Sequence, residues 1–115
     1  MRVATWRGGT EITIDEVPDP KPGPGQLVLK VHSAGICGTD IHKTQGLFPG
    51  TPPEVLGHEF VGPVVEIGEG VDESLLGQII GCTLNASCGE CESCLTWSAM
   101  HCEREPRFAG GFAEY

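Results

Sequence analysis

Four cysteines lie close together in the segment CGECESCLTWSAMHC at residues 88–102. They are Cys88, Cys91, Cys94 and Cys102, separated by two, two and seven residues. Four thiolates can converge on one tetrahedral ion, whereas disulfides would have to pair near neighbours in small strained rings. An iron–sulfur cluster also takes four cysteines, but in the bacterial ferredoxin pattern the last gap is shorter and a proline follows. The spacing therefore favours zinc in a closed, structural site, with iron–sulfur and disulfide arrangements as the alternatives.

A second group of possible metal ligands is spread over two earlier segments. Cys37, His58 and Glu59 offer a thiolate, an imidazole and a carboxylate, each where a strand gives way to a loop. Catalytic zinc sites use such mixtures and keep one position open. By residue type alone, however, a single cysteine in a glycine-rich turn is more typical of a buried thiol. A zinc-peptidase motif is excluded, because Gly62 stands where the second histidine of that motif would be.

Other candidate residues favour structural interpretations. His32 is expected to be an ordinary strand residue, and Cys82 a reduced, buried thiol. His101 is not expected to bind metal, because the four cysteines already complete a tetrahedron. Asp40 can either cap a turn or orient a metal ligand through a hydrogen bond.

Length and composition place limits on the function. A chain of 115 residues forms one domain with a modest core, and its 17 glycines and 9 prolines favour strands and turns over long helices. The net charge of −9, with no basic run, argues against nucleic acid or an anionic membrane as partner. With no signal-peptide or membrane-spanning segment and six cysteines available as thiols, the cytoplasm is the expected compartment.

The hydrophobic pattern predicts about six short strands and very little helix, which is typical of a small β-barrel-like domain. In the first hairpin, residues 2–6 and 11–17 flank Gly8-Gly9, and Ile12, Ile14 and Val17 are expected to face inward. The other predicted elements are a connector at 18–25, an alternating strand at 26–34, a turn and short helix at 35–46 capped by Thr39 or Asp40, a loop at 47–57, a strand at 60–67 with a bulge or edge position at Gly62-Pro63, and a strand at 79–84.

No nucleotide-binding site is visible in the sequence. Gly68-Glu69-Gly70 follows an apolar strand, but Glu73 occupies the place of the third fingerprint glycine and too few residues follow for the required helix. Residues 103–115 end with a glycine pair and an apolar alternation that has no evident strand left to pair with.

Four motifs occur in an order and spacing that resemble the zinc-containing medium-chain alcohol dehydrogenases. They are GICGTDIH at 35–42, VLGHEFVGPVVEIGEGV at 55–71, CGECESC at 88–94 with Cys102, and GGFAEY at 110–115. The similarity covers nearly the whole chain and is greatest to bacterial alcohol, threonine and polyol dehydrogenases. It implies a mainly β, GroES-like catalytic domain over residues 1–115, with little helix and a cysteine-rich zinc lobe at about 86–104.

The resemblance also implies roles for individual residues. Cys37 and His58 match ligands of the catalytic zinc, and Glu59 matches the carboxylate beside it, while the four cysteines of the lobe match the structural zinc site. Thr39 and His42 match the hydroxyl and the imidazole of a proton relay. The family's third catalytic ligand, its Rossmann domain and its C-terminal return to the barrel have no counterpart in these residues.

Two functional hypotheses follow from the resemblance. The first is the zinc-binding catalytic domain of an NAD- or NADP-dependent alcohol dehydrogenase, inactive as an isolated chain and acting on a small alcohol. The second is a freestanding GroES-like zinc module, or one subunit of a split dehydrogenase. A Rossmann domain or subunit in trans, or a second copy of the chain, would then be a partner. A co-chaperonin role ranks below both, because such a barrel needs neither metal cluster.

Overall fold

The chain is mainly β, as predicted, and forms two sheets joined by its last residues. A computed structural model describes residues 1–82, 88–96, 101–102 and 110–115. Its strands are β1 (Arg2–Gly8), β2 (Glu11–Glu16), β3 (Leu27–Leu29), β4 (Ser33–Gly35), β5 (Glu54–Val55), β6 (Glu59–Ile67) and β7 (Ile79–Gly81). Two short α-helices, α1 (Gly38–Thr44) and α2 (Glu92–Thr96), and a 3₁₀ helix at Glu73–Leu75 are the helical elements among these residues.

The first sheet has the antiparallel order β2-β1-β5. β1 lies in the middle and buries residues on both of its faces, with Val3 and Thr5 on one face and Trp6 on the other. The indole Nε1 of Trp6 donates to the carbonyl of Gly9, which ties this aromatic side chain to the hairpin turn. The hairpin predicted from the sequence is therefore present.

The predicted orientation of β2 is wrong. Ile12, Ile14 and Val17 were expected to face inward, but their exposed fractions are 54%, 68% and 36%. The opposite face of β2 carries the packed residues: Arg7 donates to the Thr13 hydroxyl over 3.0 Å and to the Asp15 carboxylate over 2.6 Å. Period-two alternation identifies a strand but does not say which of its faces the rest of the fold covers.

The second sheet is organised around β6, the longest strand. β3 and β4 pair along one edge of β6, and β7 pairs along the other. The single alternating strand expected at 26–34 is interrupted, because a register shift between Val28 and Leu29 places both of these side chains in the core. Of the strand expected at 79–84, β7 covers Ile79–Gly81, and residues 83–84 lie outside the described residues.

Gly62 is needed because two strands approach each other closely. A Cβ atom at Gly62 would lie 1.9 Å from the carbonyl oxygen of Lys30, a separation that no backbone can tolerate. The neighbouring Pro63 accepts a hydrogen bond from the Lys30 N–H at 2.9 Å and is paired with Ile79 on its other side. Both alternatives predicted for Gly62-Pro63 are therefore wrong. The pair lies in the central strand and not at an edge, and the register shift of β6 lies opposite Val28 and Leu29 and not at this pair.

The last residues do have a partner, contrary to expectation. Ala113 forms a bridge with Val3, and the carbonyl of Phe112 accepts from the Ala4 N–H at 2.8 Å. The carbonyl of Glu114 accepts from the Val31 N–H at 2.9 Å, so the same short segment also contacts the chain between β3 and β4. Residues 112–114 thus connect the two sheets. An ion pair adds to this junction, because Nε and Nη2 of Arg2 both donate to Oε1 of Glu114, at 3.0 Å and 2.6 Å.

The core is small and draws its residues from both sheets. Its most buried side chain is Val64, and the neighbouring core residues include Val3, Trp6, Val28, Leu29 and Leu56. Among the described residues, no helix is long and apolar enough to cross a membrane.

Candidate metal centres

The four cysteines predicted to bind zinc are brought together. The sulfurs of Cys88, Cys91, Cys94 and Cys102 all lie within 4.8 Å of one another, and the Cys88 and Cys94 sulfurs are 4.0 Å apart. With zinc–sulfur bonds of about 2.3 Å, the edge of a tetrahedron is about 3.8 Å, so the cluster is the right size for one zinc ion. None of these cysteines forms a disulfide, and the 4.0 Å separation is about twice a sulfur–sulfur bond.

Backbone amides point at the sulfurs of the four-cysteine cluster. The N–H groups of Glu90 and Cys91 donate to the Cys88 sulfur at 3.4 Å and 3.3 Å, and the Cys88 N–H donates to the Cys102 sulfur at 3.4 Å. These amides, first Glu90 and then Cys91, lower the pKa of the Cys88 thiol. Burial raises the pKa of Cys94 to about 12. Four adjacent thiolates repel one another, and a bound divalent cation would stabilise them together.

The second predicted group is also brought together, although its members come from distant parts of the sequence. Cys37 directly precedes α1, His58 directly precedes β6 and Glu59 begins it, and the ligand atoms of all three lie within 4.8 Å of one another. Cys37 and His58 are half-buried and Glu59 is exposed. This mixed cluster of Cys37, His58 and Glu59 supplies three ligand types that zinc accepts, and its exposed side leaves room for a further ligand.

Asp40 links the two segments that carry the mixed cluster. It is 4% exposed, and its carboxylate accepts from the Cys37 N–H at 3.1 Å and from the Gly57 N–H at 3.3 Å. The same carboxylate lies 3.5 Å from Nδ1 of His58. The N-cap of α1 is Cys37, so the prediction of Thr39 or Asp40 as the cap is wrong. Asp40 satisfies the backbone of the cap from inside the first turn, whereas its other predicted role, orienting a metal ligand, remains a prediction.

Gly57 fixes the backbone that leads into His58. Its φ of +90° lies in the left-handed region, which disfavours residues with a side chain, and a Cβ there would lie 2.7 Å from the Phe112 ring. The carbonyl of Gly57 accepts from the N–H groups of Gly110 and Gly111, at 3.1 Å and 2.9 Å. The segment that joins the two sheets therefore also packs against the residue preceding a candidate ligand. The sequence gives no sign of this contact, because the residues that form it are more than fifty positions apart.

The two predicted relay residues both lie on α1. The Thr39 hydroxyl is 3.3 Å from Nε2 of His58, on the opposite side of the ring from Asp40. His42 follows Thr39 by three residues, which places it on the same face of the helix, and its side chain is exposed. Exposed apolar residues surround this helix, with Ile36 71% and Leu47 72% exposed. No motif in the sequence drew attention to them.

The remaining cysteine and histidines lie outside both clusters. Burial raises the pKa of Cys82, whose backbone N–H pairs with the Phe60 carbonyl beside β6. His101 is exposed beside Cys102, and His32 is exposed between β3 and β4. The metal-ligating groups found among the described residues contain none of these three side chains.

Comparison with known proteins agrees with this geometry. The family model described as the alcohol dehydrogenase GroES-like domain matches residues 23–115. The chain belongs to this family. Membership confirms the resemblance and the mainly β fold class, although the described residues form two bridged sheets and no closed barrel is assigned. The domain limits of 1–115 remain a prediction.

Individual relatives are similar over almost the whole chain. A sorbitol dehydrogenase of Halalkalibacterium halodurans is 36% identical, with 98% of this chain and 34% of the relative covered. A zinc-type alcohol dehydrogenase B of Aspergillus flavus is 34% identical, with 100% and 28% covered. The structure of acetophenone reductase from Geotrichum candidum in complex with NAD has a TM-score of 0.83 and 36% identity, with 97% and 34% covered. The chain spans about a third of the length of these proteins.

Proposed function

We propose that this chain is the zinc-binding catalytic domain of an NAD- or NADP-dependent alcohol dehydrogenase, which oxidises an alcohol to an aldehyde or ketone. The observation that carries the proposal is the mixed cluster, in which Cys37, His58 and Glu59 converge to within 4.8 Å beside the Thr39 hydroxyl. Family relatives named as alcohol and sorbitol dehydrogenases, and a structural neighbour that holds NAD, support the same reaction class.

The residues of the mixed cluster bind the metal, and residues of the neighbouring helix α1 transfer the proton. Zinc, when bound, supplies a Lewis acid that polarises an alcohol or carbonyl oxygen. Cys37 and His58 would hold the ion from the half-buried side, and Glu59 would provide a carboxylate on the exposed side. The Thr39 hydroxyl would accept the proton that the alcohol loses and release its own, because it lies next to the imidazole that would bind the ion. His42, exposed on the same helix face, would take up the released proton and pass it to solvent.

The four-cysteine cluster has a structural role in this proposal. Four protein ligands leave no position for a substrate, and the cluster lies in a segment with only one short helix, α2, among its described residues. Such a segment has little apolar area to bury, so the metal supplies the stabilisation that a core would otherwise give. We therefore assign Cys88, Cys91, Cys94 and Cys102 to one structural zinc.

The nicotinamide must be bound outside the residues described here. We propose that a Rossmann domain, in the same polypeptide or in a partner subunit, holds NAD or NADP against the exposed side of the mixed cluster. Ile36 and Leu47 flank α1 with more than two thirds of their surface accessible, as expected for residues that face another domain or a substrate. We place the protein in the cytoplasm, where thiols for two metal sites stay reduced.

The test is alcohol-dependent reduction of NAD or NADP by the natural gene product that carries this sequence. Primary, secondary, polyol and amino-alcohol substrates are assayed for the wild type, Thr39→Val and Thr44→Val. Thr44 is the matched control, because its hydroxyl only donates to the Ile41 carbonyl, at 2.8 Å, on the same helix. Thr39→Val is expected to lower kcat about 10²- to 10⁴-fold, and Thr44→Val to leave it within about twofold. No turnover with any alcohol, or equal effects of the two variants, contradicts the proposal.

A further inference from the structure

Gly35 lies directly opposite Glu59 in the ladder between β4 and β6. A Cβ atom built on Gly35 would be 2.8 Å from the Glu59 carboxylate oxygen Oε2 and 3.3 Å from the Glu59 Cβ. Its next nearest atom, at 3.6 Å, is the Glu59 carbonyl oxygen. The three nearest neighbours of such a methyl group therefore all belong to one candidate metal ligand.

The backbone does not explain the glycine at this position. Gly35 is absent from the glycines with positive φ, so a residue with a side chain could adopt its conformation. It is exposed and lies in a paired strand, where a residue with a side chain is ordinarily favoured over glycine. What the missing side chain provides is the space that the Glu59 carboxylate occupies beside Cys37 and His58.

We propose that Gly35 is a positioning residue for the mixed cluster: it leaves open the space in which the Glu59 carboxylate approaches the metal. The inference rests on the proposed function, since it assumes that the cluster binds zinc. Because Oε2 is the free end of a flexible side chain, a methyl group at Gly35 displaces the carboxylate, whereas the Glu59 Cβ at 3.3 Å has to move by only a few tenths of an ångström. Gly35→Ala thus moves the Glu59 carboxylate while Glu59 itself is kept.

The experiment measures Co²⁺ binding to the natural gene product, with visible absorption as the readout. Signal from the mixed cluster is defined as the part that Cys37→Ser removes. Gly35→Ala is expected to weaken this binding about 10- to 100-fold, as the loss of groups that orient metal ligands does elsewhere, and to shift the Co²⁺ bands. Gly81→Ala is the matched control, because Gly81 is also an exposed strand glycine without positive φ and its added Cβ meets no atom within 4 Å.

A double-mutant cycle separates positioning from a general structural effect. In a Glu59→Ala background the carboxylate is gone, so Gly35→Ala is expected to change Co²⁺ affinity less than twofold. The inference is overturned if Gly35→Ala weakens Co²⁺ binding equally in the presence and absence of the Glu59 carboxylate. It is also overturned if Glu59→Ala weakens Co²⁺ binding and Gly35→Ala does not. A wild type without any Cys37-dependent Co²⁺ signal instead refutes the proposed metal site, so the two failures are distinguishable.

Discussion

Replacing Asp40 by alanine should remove the hydrogen bonds that hold together the two segments carrying the mixed cluster. The buried carboxylate accepts from the Cys37 N–H and the Gly57 N–H, and it lies 3.5 Å from Nδ1 of His58. Asp40→Ala leaves both N–H groups without this acceptor, at a cost of about 1–3 kcal/mol each, so the free energy of unfolding should fall by about 2–6 kcal/mol. Asp40→Asn keeps one oxygen acceptor and should lose roughly half of that amount.

The assay is urea unfolding of the metal-free protein, followed by a zinc titration of each variant. The control is Asp72→Ala, because the Asp72 carboxylate also accepts a backbone N–H, that of Ser74 at 2.9 Å, but does so at an exposed position where water can replace it. Asp40→Ala should unfold at a clearly lower urea concentration than Asp72→Ala and should also bind zinc more weakly at the mixed cluster. Equal unfolding midpoints for the two variants would refute the assigned role of Asp40.

Two further predictions concern the four-cysteine cluster and the first sheet. A chelator should lower the thermal stability of the parent protein but not that of Cys88→Ser, because the three remaining ligands hold zinc poorly. Cys82→Ser is the control and should still lose stability when the chelator is added. The reverse pattern would place the structural metal elsewhere. Hydrogen bonds from Thr5 first, and then Arg7, lower the pKa of Asp15 in the folded protein. The ionised carboxylate therefore stabilises the folded state above the unfolded pKa of about 3.9, and this stabilisation is lost as the pH falls through the lower folded value. Asp15→Asn should therefore be less stable than wild type at about pH 6, and the difference in free energy of unfolding, measured with urea, should shrink as the pH is lowered to about 3. A difference that stays constant over this pH range would argue against the assigned role of the Asp15 carboxylate.

Local patterns in the sequence predicted what depends on local contacts. The four cysteines lie within fifteen residues, so their spacing alone indicated a shared metal, and the structure places their sulfurs within 4.8 Å. The first hairpin is similarly local. Cys37 and His58 are twenty-one residues apart, and their residue types gave only a weak indication of a shared site, which the resemblance to a family strengthened.

Features that depend on tertiary packing were missed or wrongly predicted. Ile12 and Ile14 alternate as an inward face would, yet the covered face of β2 is the polar one that contacts Arg7. The register shift at Val28 and Leu29 is set by β6, a strand that lies more than thirty residues away along the chain. The pairing of residues 112–114 with β1 joins opposite ends of the sequence, where no hydrophobic period gives a signal.

As proposed above, this chain holds two zinc ions with different ligands, and zinc X-ray absorption of the natural gene product distinguishes the two sites. Metal analysis is made alongside, on the wild type and on Cys37→Ser. We expect two zinc ions at these residues, one with four sulfur ligands and one with a single sulfur and nitrogen or oxygen ligands, and Cys37→Ser should lose only the second. A wild-type spectrum with four sulfur ligands alone, or full retention of mixed-ligand zinc in Cys37→Ser, would contradict the assignment of a second zinc site to the mixed cluster.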